Sequence, residues 1–262
     1  METPKISVIM PIYDSGKFLN ESMSSILNQT FKDFELIIIN DKSTDSSLKI
    51  VKKYMGKDKR IILINNKRNF GSAKSRNIGL KNARGKYIAI LDSDDISNKN
   101  RLQVQYDYLE KHSEIFLVGS STIYIDERSR EIRRFRKFNN YKILRWKLPK
   151  SCGIVHSSVM FRNEGNIFYN EEFKSAHDYN LYLDLLSQGK NLTNLPFFLT
   201  KHRVYSGSAH SSNEKKQEFF SNKTKKAHRN LKSGLNLFEK IFYSLKLIIF
   251  YLKTKKEKKT KS

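Results

Sequence analysis

Three carboxylates fall within four residues at Asp92-Ser93-Asp94-Asp95, directly after the apolar run Tyr87-Ile88-Ala89-Ile90-Leu91. A strand that ends in clustered acids sets them at the carboxyl edge of a sheet, where open α/β folds bind ligands. Hard divalent cations prefer oxygen ligands, and such a cation, held by one or two carboxylates, commonly bridges to a substrate's phosphates. The same tetrapeptide also suits an acidic turn that caps the next helix, because Asp and Ser are common N-caps. Alone it fits both readings equally; the surrounding chain decides.

Four short apolar runs alternate with helix-like segments. Ile6 to Met10 is followed by 17–29, where Phe18, Leu19, Met23, Ile26 and Leu27 recur at helical spacing. Phe34 to Ile39 is almost wholly apolar, as a strand buried on both faces requires. A second helical pattern covers 45–54, a third strand 61–64, a third helix 72–83 and a fourth strand 87–91. This βαβαβαβ order predicts a parallel, doubly wound sheet. Right-handed crossovers then gather the loops after Met10, Ile39, Ile64 and Leu91 on one edge. Beyond Asp95 the alternation loosens: a helix over 101–112, a strand over 116–120, a basic hairpin-like stretch over 123–138 and an amphipathic helix over 179–186 are expected.

The three acid-bearing loops at that edge have distinct parts to play. The first strand ends in Pro11-Ile12-Tyr13-Asp14 and the second in Asn40-Asp41-Lys42-Ser43-Thr44-Asp45. Asp45 stands where a helix N-cap is needed. Asp41 comes too early for capping and is expected to be free to accept hydrogen bonds from a ligand. Tyr13 offers a face for stacking a base, or is simply a turn tyrosine.

Of the 262 residues, 38% are hydrophobic, enough for one large α/β domain or one domain with an appendage. The single cysteine, Cys152, precludes an internal disulfide framework and fits a reducing compartment. The N-terminus lacks a signal-peptide pattern, so a cytoplasmic protein is expected. Net charge is +24, and residues 215–262, with 15 Lys/Arg against 3 acids, supply +12 of it, half the excess. Within that tail Leu235, Phe238, Ile241, Phe242, Leu245, Ile248, Ile249 and Leu252 follow helical spacing, and Glu239, Lys240 and Lys246 oppose a spanning helix. An amphipathic helix lying on an anionic membrane surface is expected; packing on the catalytic domain or on another protomer is the alternative.

The segments Ser7-Val8-Ile9-Met10-Pro11-Ile12-Tyr13, Ser25-Ile26-Leu27-Asn28-Gln29-Thr30-Phe31, Phe34 to Asp41, Ala73-Lys74-Ser75-Arg76-Asn77-Ile78-Gly79 and Leu91 to Asp95 resemble the bacterial family 2 glycosyltransferases, with the motifs in order over roughly 5–210. The resemblance implies a GT-A fold, with a Rossmann-like, mostly parallel sheet and helices on both faces, followed here by a helical basic C-terminal tail. It implies a nucleotide-binding half over 1–95, an acceptor half over 96–212 and the tail over 213–262. It further implies a nucleotide-sugar donor, a divalent metal (Mn²⁺ or Mg²⁺) and inversion at the anomeric carbon.

Carried over by residue, Pro11, Tyr13 and Asp41 resemble the positions that hold a uracil ring, Asp41 accepting its N–H. Arg76 resembles the arginine that approaches the donor, Asp92 the acid near the ribose, and Asp94 the metal ligand. Asp14 stands where the family usually has Asn. In Ala176-His177-Asp178-Tyr179, Asp178 resembles the general base, or else merely caps its helix, and His177 replaces the usual Glu. His156, before a strand, reads as structural. In Lys201 to Ser208, Arg203 resembles the arginine that approaches the pyrophosphate, and Tyr205 stands where the family often has His.

The function expected is transfer of a hexosyl or N-acetylhexosaminyl group from a UDP-sugar to a saccharide hydroxyl. The acceptor would be lipid-linked, in surface polysaccharide or lipopolysaccharide assembly, with the enzyme peripheral on the inner face of the cytoplasmic membrane. A polyprenol-phosphate sugar synthase is the nearest alternative; the Asn28-Gln29-Thr30 segment and the Asp178 motif favour oligosaccharide assembly. A nucleotidyltransferase lacks its Gly-rich loop here, and a P-loop NTPase its Gly-x-x-x-x-Gly-Lys-Ser/Thr. A basic nucleic-acid-binding protein would leave the acids at three strand ends without a purpose, so no nucleic-acid partner is expected.

Overall fold

A computed structural model describes residues 3–136, 140–206 and 214–229. The expected alternation is present in its first half: β1 (Ile6–Ile12), α1 (Leu19–Leu27), β2 (Phe34–Asn40), α2 (Ser47–Met55), β3 (Ile61–Asn65), α3 (Ser72–Asn82) and β4 (Tyr87–Ile90). β1 pairs in parallel with β2 and β4, and β2 with β3. The near-continuous apolar runs follow from burial on both faces. Ile9, Ile37, Ile39, Ile88 and Ile90 pack against α3 on one side, while Val8, Met10, Leu36, Ile38 and Ala89 pack under α1 and α2 on the other.

The second half comprises β5 (Ile96–Ser97), α4 (Arg101–Lys111), β6 (Leu117–Ile125), β7 (Glu131–Phe135), α5 (Tyr141–Lys147), β8 (Met160–Arg162), α6 (His177–Ser187), β9 (Leu192–Arg203) and α7 (Glu214–Ala227). Strand order is β3-β2-β1-β4-β8-β6-β9-β5, with β7 on β6. Here the directions mix: β8 is antiparallel to β4 and β6, while β6 and β9 run parallel. The basic stretch expected as a hairpin is the β6–β7 pair. One continuous sheet therefore joins the two halves through β8, with α4 on the face of α1, and α5 and α6 on the face of α3.

Two glycines set the position of α3. A Cβ on Gly79 would come within 2.7 Å of Ile9 and 2.8 Å of Ile39, so only glycine lets the helix lie this close to the sheet. Gly71, ahead of the helix, has φ of 87°, a region that glycine enters without penalty.

The start of the expected tail is docked. In α7 Phe220 packs at a tilt against Phe173 at 5.7 Å, and His228, just beyond it, reaches Asp184 of α6 at 2.8 Å. The amphipathic segment 234–252 lies outside the described residues. Among those described, no helix is long and apolar enough to cross a membrane.

Candidate active site

Because β1 to β4 are parallel, the loops that follow them open at one edge, and hydrogen bonds knit them together. Asp14 Oδ1 accepts the N–H of Thr44 at 2.7 Å and of Asp45 at 3.3 Å, and the Asp14 N–H donates to Ser43 Oγ at 3.2 Å. Its φ of 43° is one that Asp tolerates better than most residues. Where the family shows Asn, this chain therefore has a clip between the first two loops. Ser15 Oγ meets Ser93 Oγ at 2.7 Å and ties the first loop to the acidic one. Asp45 lies one residue ahead of the cap position, held by Ser46, yet its Oδ1 takes the Ser47 N–H at 2.9 Å.

Asp41 corrects an expectation. It is buried, and its carboxylate is not free: Oδ1 accepts from Asn66 Nδ2 at 2.7 Å and from the Phe70 N–H at 2.9 Å, and Oδ2 accepts the Gly71 N–H at 2.8 Å. These three bonds hold the β3–α3 loop. An ionised carboxylate has about four lone-pair sites, so one direction on Oδ2 remains for a ligand N–H. Nearby, Pro11 is half-buried in β1 and Tyr13 is 52% exposed.

Arg76 is the hub of the edge. It is buried, Nη2 forms an ion pair with Asp92 Oδ1, and Nη1 lies 2.6 Å from His177 Nε2. Burial opposes charge on Asp92, but Arg76 outweighs it, and the carboxyl sits well below the ordinary range. Arg76 thus joins the end of β4 to the first residue of α6, and Asp178 is the next residue along. Burial disfavours an ionised Asp178 too, yet its carboxyl is lowered by His156, His177, the Tyr179 N–H and Arg76. Burial, then Arg76, brings His177 down to about 3, and burial brings His156 down to about 4. Both imidazoles are held toward the neutral form, so Arg76 and the Tyr179 N–H are the remaining groups that favour an ionised Asp178 against burial. His156 is structural, as expected: its ring nitrogens meet Tyr182 Oη at 2.6 Å and Tyr169 Oη at 2.9 Å.

Asp94 has the opposite environment. Burial, with Asp95 and Asp92 alongside, pushes it up to about 7. Both oxygens of Asp95 are taken, by the Arg203 N–H at 2.8 Å and by His202 Nδ1 at 2.9 Å. Among the described residues, Asp94 Oδ2 accepts a 3.2 Å bond from Tyr205 Oη. A carboxyl crowded by like charge suits a divalent cation, which would relieve the crowding. Among the described residues no group of three His, Cys, Asp or Glu is preassembled for a metal. A cation held here by Asp94 would complete its shell with water and substrate phosphate, as Mg²⁺ sites commonly do.

Arg203 has a different job from the one expected. Its guanidinium is spent inside the protein: Nε on Asp94 O at 2.9 Å, Nη1 on Asp126 O and Ser129 Oγ at 3.0 Å, Nη2 on Glu21 at 2.5 Å, and its face over Phe18 at 4.4 Å. It braces the acidic loop against the β6–β7 turn, and with its side chain fully buried it is not presented to a pyrophosphate in this arrangement. Gln29 is likewise a brace: buried, it donates to Asn98 O at 2.7 Å and accepts the Leu102 N–H at 3.0 Å at the start of α4. Arg101, absent from the sequence reading, is fully buried and bonds Ile90 O at 2.9 Å and Val159 O at 3.0 Å, which fixes the strand end that carries the acids. Its position at the start of the helix that follows the acidic loop is the one sequence signal that could have found it.

Comparison with known proteins adds to this geometry. The sequence profile of glycosyl transferase family 2 matches residues 7–168. An uncharacterized glycosyltransferase of Methanocaldococcus jannaschii is 36% identical over 97% of this chain and 91% of its own length. Among solved structures, S. aureus TarS 1-349 in complex with UDP-GlcNAc superposes with a TM-score of 0.68 at 25% identity, over 79% of this chain and 61% of TarS 1-349. The mannosyltransferase PcManGT of Pyrobaculum calidifontis, in complex with GDP-Man and Mn²⁺, shares the fold with a TM-score of 0.63 at 17% identity, over 80% and 60% of the two chains. With a GT-A fold and a profile match across more than half its length, the chain belongs to glycosyl transferase family 2.

Proposed function

We propose that this glycosyltransferase moves a hexosyl or N-acetylhexosaminyl group, with inversion, from a UDP-sugar to a hydroxyl of a lipid-linked saccharide in surface polysaccharide or lipopolysaccharide assembly. The observation that carries the reading is the Arg76 bridge: one guanidinium bonds Asp92 at the donor edge and His177 beside Asp178. Acid loop and candidate base therefore meet at a single buried cation.

In this reading Tyr13 and Pro11 cover the uracil, the spare lone pair of Asp41 takes its N–H, and Asp92 and Arg76 hold the ribose and diphosphate side. Asp94 would hold Mn²⁺ or Mg²⁺, which when bound would offset charge on the departing diphosphate. Asp178, ionised at the start of α6, takes the proton from the acceptor hydroxyl as it attacks. UDP-GlcNAc bound to the TarS relative supports a uridine donor. The basic tail would bring the enzyme to the inner face of the cytoplasmic membrane, where a lipid-linked acceptor resides.

Asp178→Asn tests the assignment. It retains donor binding and loses about 10²–10⁴-fold in transfer, the usual cost of removing a general base. Turnover at the wild-type rate would move the base elsewhere.

A further inference from the structure

A histidine at 177 alters the logic of the site, and the geometry shows how. Arg76 has only donors, so the nitrogen it meets at 2.6 Å, His177 Nε2, must accept, and the ring proton is on Nδ1. The imidazole is wedged edge-on against Tyr169 at 5.7 Å and His156 at 6.4 Å, which fixes its plane. It opens α6 immediately after Ala176, whose φ of 52° and ψ of 25° turn the chain sharply into the helix.

We propose that His177 is a positioning residue: as a neutral acceptor it fastens the start of α6, and the Asp178 carboxylate with it, to the Arg76–Asp92 pair of the donor edge. This deepens the proposed function and rests on Asp178 as the base. A carboxylate at 177 would compete with Asp92 for one guanidinium and set a second negative charge beside Asp178. A neutral acceptor leaves the whole charge of Arg76 to Asp92 and Asp178. The groups facing Asp178 make that charge matter. Among the described residues they are Arg76 from α3, His156 from the turn before β8, Tyr169 from the segment before α6, and Tyr182 and the neighbouring His177 from α6 itself, while Asp92 is paired with Arg76. With both histidines and both tyrosines neutral, Arg76 is the one cation among them.

The test uses the full chain and three variants. His177→Ala loses about 10–100-fold in kcat, with donor KM within about threefold, because the base is misplaced rather than the donor released. His177→Gln, which keeps a neutral acceptor, restores kcat to within about threefold of wild type. His177→Glu moves the acidic limb of the kcat/KM profile up by about one pH unit, as an added negative charge must. An unmoved limb in His177→Glu, or wild-type kcat in His177→Ala, overturns the proposal. A second readout does not depend on catalysis. Long-range ¹⁵N NMR of the wild-type imidazoles, with His177 assigned through His177→Gln, shows the Nδ1–H tautomer with no titration between about pH 5 and 8. An Nε2–H tautomer, or titration in that window, overturns the proposal whatever Asp178 does. The expected NMR result beside an active Asp178→Asn variant would instead sink the assignment of the base.

Discussion

Replacing Arg76 with Met removes the hub of the site, and the cost follows from its surroundings. The Arg76 side chain is 7% exposed and Asp92 28%, so the variant leaves a mostly buried carboxylate without its cation. Breaking a buried pair from one side costs about 3–5 kcal/mol. Two features lower that figure: Asp92 retains some solvent, and the Arg76 Nε–H is already buried without a partner among the described residues, a liability the variant removes. We expect a loss of about 2–3 kcal/mol, or about 4–12 °C in Tm for a domain of this size. Urea unfolding followed by circular dichroism, with thermal melts alongside, measures both. The effect has a definite pH dependence. Asp92 has a folded pKa below its ordinary 3.8, so the pair stabilises above that value and the benefit fades as pH falls through the folded pKa. The gap between wild type and variant is therefore full at pH 7 and narrows in acid. Adding Asp92→Asn to Arg76→Met should recover at least half of the loss, because no buried charge is then unpaired. A loss below about 1 kcal/mol, or strictly additive single variants, would refute the reasoning.

Asp94→Asn should abolish transfer and Mn²⁺-dependent UDP binding while leaving the circular dichroism spectrum unchanged; metal-independent UDP binding of equal strength in wild type would remove Asp94 from the metal site. His202 carries a second pH signature: burial opposes its charge, but Asp95 raises it from 6.5 to about 9. Its contribution is complete below pH 6.5 and disappears as pH rises through 9, so wild-type stability falls by up to about 3 kcal/mol across that interval. His202→Gln should be flat there, and parallel curves would contradict the ion pair. Arg203→Met should lower stability, by freeing Glu21 and the β6–β7 turn, yet keep the ratio of UDP to UMP affinity within about threefold; a selective loss of UDP binding would return Arg203 to the pyrophosphate.

The first half of the fold was legible because β1, β2 and β4 are buried on both faces and α1 and α2 keep one apolar stripe, so period and composition agree. The second half was legible only in part: α4, the start of β6, the β6–β7 hairpin and α6 stand where expected, while β8, α5 and β9 did not register. β8 has three residues and α5 seven, too few for any period to register. β9 buries Thr193, Asn194 and Thr200 among its apolar residues and so never reads as a core strand. At the site, the acids, Arg76 and Asp178 stood out through their motifs. What stayed hidden were their partners. Asp41 looked free because its ligands are mainly backbone N–H groups of a loop that begins 25 residues later. Arg203 looked available because Glu21, which claims it, lies 182 positions away. The role of His177 could be read only once Arg76, 101 residues upstream, was seen against it.

The central claim, a metal-dependent uridine donor site at this edge, is tested most directly by nucleotide release from a panel of sugar donors. The full chain is incubated with UDP-glucose, UDP-galactose, UDP-GlcNAc and GDP-mannose, each with Mn²⁺ and each with excess EDTA. The account predicts UDP release from at least one UDP-sugar, abolished by EDTA, and none of comparable rate from GDP-mannose. Turnover of GDP-mannose alone, or UDP release undiminished in EDTA, would contradict it.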